Sequence, residues 1–184
     1  MTDFKCIILT TEVRGIPHLA SLVASNPGLD VEVYTVKQTG YQGWFNCDRN
    51  ILNWWKENQL TETAGRFLFL EYDVLVERDL TEHFPIGEQH DAEVMGIIER
   101  DRMCIAEGVK LKKYGIAACR ISPLSVVMLS RDVLNDICNP AMEDVFNDMI
   151  YCEVRLPSVI RHLGHRLTVN DKLTPERGIH HPVK

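Results

Sequence analysis

The sequence contains no uninterrupted apolar stretch approaching the roughly 18 to 20 residues needed to cross a bilayer. No export signal is expected, because the opening MTDFKCIILTT has too short an apolar segment and no small-residue cleavage site behind it. A cytoplasmic location without a transmembrane segment is expected. Positive charge is scarce as well: 20 Lys+Arg stand against 26 Asp+Glu, for a formal net charge of -6. A duplex nucleic-acid binder needs a clustered basic face to release counterions from phosphates, so nucleic acid is not expected as a partner. The six cysteines, Cys6, Cys47, Cys104, Cys119, Cys138 and Cys152, form no C-x-x-C pair and no knuckle spacing, which removes zinc-ribbon and thioredoxin readings. Most read as small buried hydrophobes. Cys47, beside Asp48 and Arg49 after a glycine-bearing loop, is the least core-like of them. Neither G-x-x-x-x-G-K-S/T nor G-x-G-x-x-G occurs, which excludes P-loop and dinucleotide-binding enzymes.

What is present is one domain's worth of core. A chain of 184 residues, 45% hydrophobic and 25% charged, should bury about 70% of the surface its unfolded form exposes. No internal repeat, low-complexity tract or linker divides it, so residues 1–184 read as a single domain. Short β-type runs alternate with helical stretches, which implies α/β. Strands are expected at Phe4 to Thr10, Val31 to Val36, Arg66 to Val76, Ala92 to Ile98, Leu124 to Leu129 and Arg166 to Asn170. The FLFL run within the third is the mark of a strand covered on both faces, hence the centre of the sheet. Helices are expected from Ile16 to Ser25, from an Asp48 cap to about Leu60, from a Ser130 cap through Ile137, and from Met142 to Gly164 with an irregularity or break near Pro157. Lys37 to Asn46 reads as a loop able to approach a ligand.

The most informative feature is Glu71-Tyr72-Asp73, directly after FLFL. On an extended chain residues i and i+2 point the same way, so two carboxylates would stand together at the end of a buried strand. They need compensation. A divalent cation supplies it, and Mg2+ or Mn2+ suits carboxylate oxygens while leaving positions for substrate phosphates. Pairing with a structural arginine such as Arg66 or Arg78 supplies it equally well.

FLFLEYDVLV resembles the metal-binding strand end of glycosyltransferases of the GT-A fold, nucleotide-diphospho-sugar transferases in which an acidic triplet holds Mn2+ or Mg2+ on the donor diphosphate. The ending HHPVK is similar to the C-terminal segment that gives many such enzymes a histidine ligand, and His181, next to Pro182, fits best. The resemblance implies a GT-A-like (Rossmann-like) mixed, mostly parallel sheet flanked by helices. It assigns Thr10, Thr11 and Glu12 to the nucleotide side and Asp48 and Arg49 to the donor. Asp73 becomes the direct metal ligand, with Glu71, a departure from the commoner aspartate, as metal or sugar contact. Glu153 is the acid expected to face the acceptor as general base, with Glu143 and Asp144 as rivals. The implied reaction moves a sugar from a nucleotide-diphosphate donor to a hydroxyl acceptor; the alternative is a catalytically inactive nucleotide-sugar-binding protein. The chain is short for this superfamily, which leaves room for a minimal enzyme, a homo-oligomer or a degenerate binder. A sugar-nucleotide pyrophosphorylase would need a Gly-rich basic loop after the first strand, where this chain has TTEVRGIPH.

Other residues have plainer readings. Trp54 and Trp55 are not expected to face the core together, and one of them could cover the loop or stack on a sugar. His162 and His165 have a metal-compatible spacing but suit a cationic helix end better. Lys110, Lys112 and Lys113 form a solvated face or steer an anionic substrate. Arg100, Asp101 and Arg102 sit over the diphosphate or decorate a turn. The tail after Asn170 lacks a core-forming period yet carries two histidines, so it is expected to fold back and bring His181 to the metal of Asp73.

Overall fold

The computed structural model describes residues 4–11, 15–36, 45–85, 90–96, 98 and 101–181. Strand β1 (Phe4–Thr10), helix α1 (Leu19–Ser25) and strand β2 (Val31–Thr35) form the first parallel unit. Helix α2 (Cys47–Asn58) leads into β3 (Arg66–Glu71), which pairs in parallel on the other side of β1. Then come β4 (Leu75–Val76), β5 (Ala92–Val94), α3 (Asp101–Lys112), β6 (Val126–Ser130), α4 (Arg131–Ile137), α5 (Glu143–Asn147), α6 (Cys152–His162), β7 (Leu167–Val169) and β8 (Ile179–His180). Six strands make one sheet in the order β2-β1-β3-β6-β5-β7, and β4 pairs with β8 in a separate two-stranded ribbon.

Within the large sheet, β6 is antiparallel to both β3 and β5, whereas the other pairings are parallel. The start of β6 therefore lies beside the end of β3, with Val126 opposite Leu70 and Ser130 opposite Arg66. One edge of the sheet collects the exits of β1 and β3 and the entry of β6. β3 is central, as the FLFL run implies. Because successive side chains alternate, Phe67 and Phe69 enter one apolar cluster with α2, α4 and α6, while Leu68 and Leu70 enter a second with α1, β4 and β8. All four are buried to 2% exposure or less.

Three sequence expectations need correction. β3 stops at Glu71, where the Val74 amide turns back onto the Glu71 carbonyl (3.1 Å), so Glu71 and Asp73 flank a turn and are not alternate positions on one strand. The helical region after Met142 breaks at 148–151, not at Pro157, which lies inside α6. Proline has no amide to give the Glu153 carbonyl one turn back, and that carbonyl accepts instead from the Ser122 amide (2.9 Å). The orphaned acceptor is satisfied across the fold, so the helix continues. Trp54 and Trp55 are both fully buried. The sheet covers one flank of α2 and α4 the other, so Trp54 packs on Phe67 and Phe69 and gives its Nε1–H to Glu32 (2.7 Å), while Trp55 packs on Phe67 and gives its Nε1–H to Asn135 (3.2 Å). Neither ring is available to a sugar.

The tail folds back. After a 3-10 turn at Pro175–Arg177, Gly178 adopts a left-handed conformation (φ 80°) and β8 pairs antiparallel with β4, setting His180 opposite Leu75 and Ile179 opposite Val76. Leu173 and Ile179 are buried in the second cluster, which is what anchors a segment with no periodicity of its own. No helix among the described residues is long and apolar enough to cross a membrane.

Candidate functional site

Three chain segments meet where β3 ends. Glu71 is its last residue, Asp73 sits in the following turn, and His181 directly follows β8. Each offers one ligand atom, and these atoms lie within 4.8 Å of one another. His181 Nε2 stands 3.1 Å from Glu71 Oε2 and 3.8 Å from Asp73 Oδ1. Ser125, at the entry to β6, places its hydroxyl 3.0 Å from His181 Nε2 and donates to Glu71 Oε2 (3.2 Å). Its carbonyl also takes the Glu71 amide (2.9 Å), so the reversed strand fixes this carboxylate through both main chain and side chain. The sequence pattern places Ser125 only within a strand; its role depends on the direction of β6, which no local pattern encodes.

Asp73 tests whether these residues suit a cation. The residue is 9% exposed, and its Oδ1 is buried with no hydrogen-bond partner among the described residues. A buried carboxylate oxygen left in this state costs free energy unless something positive meets it. Two carboxylates and an imidazole match the ligand preferences of Mn2+, and the carboxylates those of Mg2+. Of the two arginines offered as the alternative, Arg66 stands at the opposite end of β3 and donates to the Pro85 carbonyl (3.2 Å).

Beside this cluster lies a second built group. Arg155, fully buried, makes a two-pronged contact with Asp48, Nε to Oδ2 at 2.8 Å and Nη2 to Oδ1 at 2.6 Å, and also donates to Asn46 Oδ1 and the Asp148 carbonyl. Asp48 therefore does not cap α2 and does not face a donor; it is fully buried and ties α2 to α6. The neighbouring Cys47 and Cys152, first residues of these two helices, bring their sulfurs to 3.1 Å. The hydrogen bond with Cys152, then burial, then the charges of Cys152, Asp48 and Glu71 hold the Cys47 thiol well above its ordinary range. The effect of Glu71 shows that the start of α2 lies within the field of the acidic cluster.

Glu153, next after Cys152, is half-buried, and its Oε2 accepts from the Tyr151 hydroxyl (2.7 Å). Burial and this carboxylate push the Tyr151 hydroxyl strongly up, so it remains a donor. Tyr151 is itself held by Phe45 (ring centroids 5.5 Å) and through its amide by the buried Glu107 (2.9 Å). The rivals are placed differently. Glu143 and Asp144 are exposed on the short α5, and Glu143 shares with Arg49 a cleft of about 210 Å³ that none of Glu71, Asp73, Ser125 or His181 lines. Arg49 donates to the Asp148 carbonyl (3.1 Å). Thr10 is buried and gives its hydroxyl proton to the Gly15 carbonyl (2.7 Å); Thr11 is half-exposed, and Glu12 lies outside the described residues.

Two of the three clustered lysines, Lys110 and Lys113, are tied to neighbouring groups, and Lys112 is exposed. Lys110 binds Glu107 (2.9 Å) and the Met149 carbonyl (2.7 Å), and Lys113 pairs with Asp148. His165 contacts Asp136 (2.8 Å) and joins β7's approach to α4. Arg100 and the side chain of Asp101 lie outside the described residues; Arg102 is exposed.

A five-to-one parallel sheet whose single reversed strand borders an acidic strand end defines a GT-A-like α/β fold. No protein-family model and no curated protein matches the chain. The solved structures that share its fold include a glycosyltransferase involved in the glycosylation of the major capsid of PBCV-1, similar with a TM-score of 0.56 at 12% identity, over 92% of this chain and 82% of that one. A197 from STIV is similar with a TM-score of 0.50 at 14% identity, over 98% of this chain and 96% of that one.

Proposed function

We propose that the chain is a metal-dependent glycosyltransferase that moves a sugar from a nucleotide-diphosphate donor to a hydroxyl acceptor. The observation that carries this reading is the convergence of Glu71, Asp73 and His181, with an Asp73 oxygen buried and lacking a hydrogen-bond partner among the described residues. The glycosyltransferase that shares the fold supports the class of reaction. Asp73 and His181 would hold Mn2+ or Mg2+, with Glu71 as third ligand or as a carboxylate kept in place by Ser125. The ion would supply charge neutralisation for the departing diphosphate.

The chain's own residues do the rest. Ser125 keeps the Glu71 carboxylate facing His181. Tyr151 engages one Glu153 oxygen and orients the carboxylate, which, in an inverting transfer, takes the acceptor hydroxyl's proton as the acceptor oxygen attacks the sugar and the nucleotide diphosphate leaves. Isothermal titration of UDP, GDP, CDP and TDP sugars with and without Mn2+, followed by an assay for donor hydrolysis and transfer, tests the proposal. Metal-dependent binding with turnover supports it; binding without turnover under any acceptor, with or without Mn2+, supports the inactive binding protein; no binding of any donor overturns both.

A further inference from the structure

We infer that Cys47 and Cys152 form a reversible dithiol–disulfide couple that cross-links the first turns of α2 and α6. Their sulfurs are 3.1 Å apart although the residues are 105 positions apart in sequence. The approach is built into the fold. Asp48, next to Cys47, is locked to Arg155, three residues after Cys152, by a fully buried two-pronged ion pair. Two helix starts clamped in this way hold the thiols against each other. Cys47 is partly exposed and Cys152 is buried at 1% exposure, which divides the roles.

Cys47, deprotonated, attacks a low-molecular-weight disulfide such as oxidised glutathione, forming a mixed disulfide and expelling one glutathione thiolate. Cys152 gives up its proton and attacks the Cys47 sulfur, displacing the second glutathione. Two protein S–H groups and one glutathione disulfide become one protein S–S bond and two glutathione thiols. The elevated thiol of Cys47 slows the first step but does not oppose the outcome. Easily reduced disulfides are those whose thiolate form is stabilised, and here burial and neighbouring acids do the reverse.

The test equilibrates the full folded chain in buffers of graded reduced to oxidised glutathione, traps remaining thiols by alkylation, and maps the digested peptides by mass spectrometry. The expected result is a joined Cys47–Cys152 peptide pair, two hydrogens lighter than its separate halves, which returns to thiols with dithiothreitol. Cys152→Ser should accumulate glutathione on Cys47, and Cys47→Ser should leave Cys152 unmodified. The oxidised parent should unfold at a higher urea concentration than the reduced one, because the cross-link closes a long loop in the unfolded chain. The inference is overturned if the parent carries glutathione on Cys47 without cross-linking at any ratio. It is equally overturned if both residues stay reduced throughout, or if cross-links to Cys6, Cys104, Cys119 or Cys138 form as readily. The parent's peptide map decides the matter even where a serine variant does not fold.

Discussion

Asp73 carries two opposing demands. Its Oδ1 is buried without a hydrogen-bond partner among the described residues, which costs the folded state, yet the same carboxylate belongs to the cluster that could meet a cation. Asp73→Ala should therefore move two measurements in opposite directions. Without metal, the variant should be more stable than the parent by about 1 kcal/mol, because a poorly satisfied buried carboxylate is gone. With Mn2+, its nucleotide-diphosphate affinity should fall at least about tenfold, the scale of a lost metal contact. Urea unfolding and titration calorimetry read the two effects, and an unchanged affinity in a folded variant would make the acidic turn structural. Glu153 and Tyr151 separate in a different way. Glu153→Gln should abolish transfer and leave donor affinity within about twofold, since a base acts on the acceptor in the transition state. Tyr151→Phe keeps the carboxylate and removes only its orienting hydroxyl, so turnover should fall by a smaller factor, on the order of ten. If Glu143→Gln or Asp144→Asn stops transfer while Glu153→Gln does not, the base has been placed on the wrong helix.

Between elements, the decisive contacts are those that short strands and turns make with distant helices. Gly178 turns the chain into β8 at φ 80°, and a Cβ there would lie 2.9 Å from Arg78 Cγ. Gly178→Ala should cost about 1–2 kcal/mol of stability and displace His181, weakening Mn2+ binding beyond what stability alone explains; equal metal affinity in variant and parent would uncouple the ribbon from the site. Arg155→Met strands the Asp48 charge in the core and should cost about 3–5 kcal/mol, whereas adding Asp48→Leu to it should restore much of that loss. Thermal unfolding of the parent and these two variants shows whether the pair acts as a unit. These contacts also mark the limit of what the sequence reveals. FLFL announced a doubly covered strand because burial on both faces leaves a compositional trace, and the acidic triplet and late histidine were legible as residue types. The buried fate of Asp48 and the double burial of Trp54 and Trp55 were not, since each depends on a partner more than 20 residues away that no local period records; the turn at Tyr72-Asp73 is local, closed by Val74 on Glu71, but the apolar run on either side masks it. Ser125 was hidden for the same reason, since its partners Glu71 and His181 are more than 50 residues away; Tyr151 lies only two residues from Glu153, but nothing in residue type marks a tyrosine as the orienter of a nearby carboxylate.

For the molecule as a whole, the direction of β6 divides the sheet into two unlike edges. The exits of β1 and β3, the entry of β6 and the returning tail all gather at one edge, where Glu71, Asp73, Ser125 and His181 sit. The other edge holds the start of β3, the end of β6 and the connection from α2, and it contributes nothing to that cluster. Leu60, in this connection, is 96% exposed. The six residues of β3 put it about 20 Å from the acidic turn at ordinary strand rise. That distance makes the connection a handle. A fluorescent reporter or an affinity peptide flanked by Gly/Ser and inserted after Leu60 should leave Mn2+ and nucleotide affinities within about twofold of the parent, as exposed loop tips accept insertions. The same cargo inserted between Tyr72 and Asp73 should abolish both. The sheet thus offers its own attachment point for surface immobilisation or single-molecule tethering, with the reactive side facing outward.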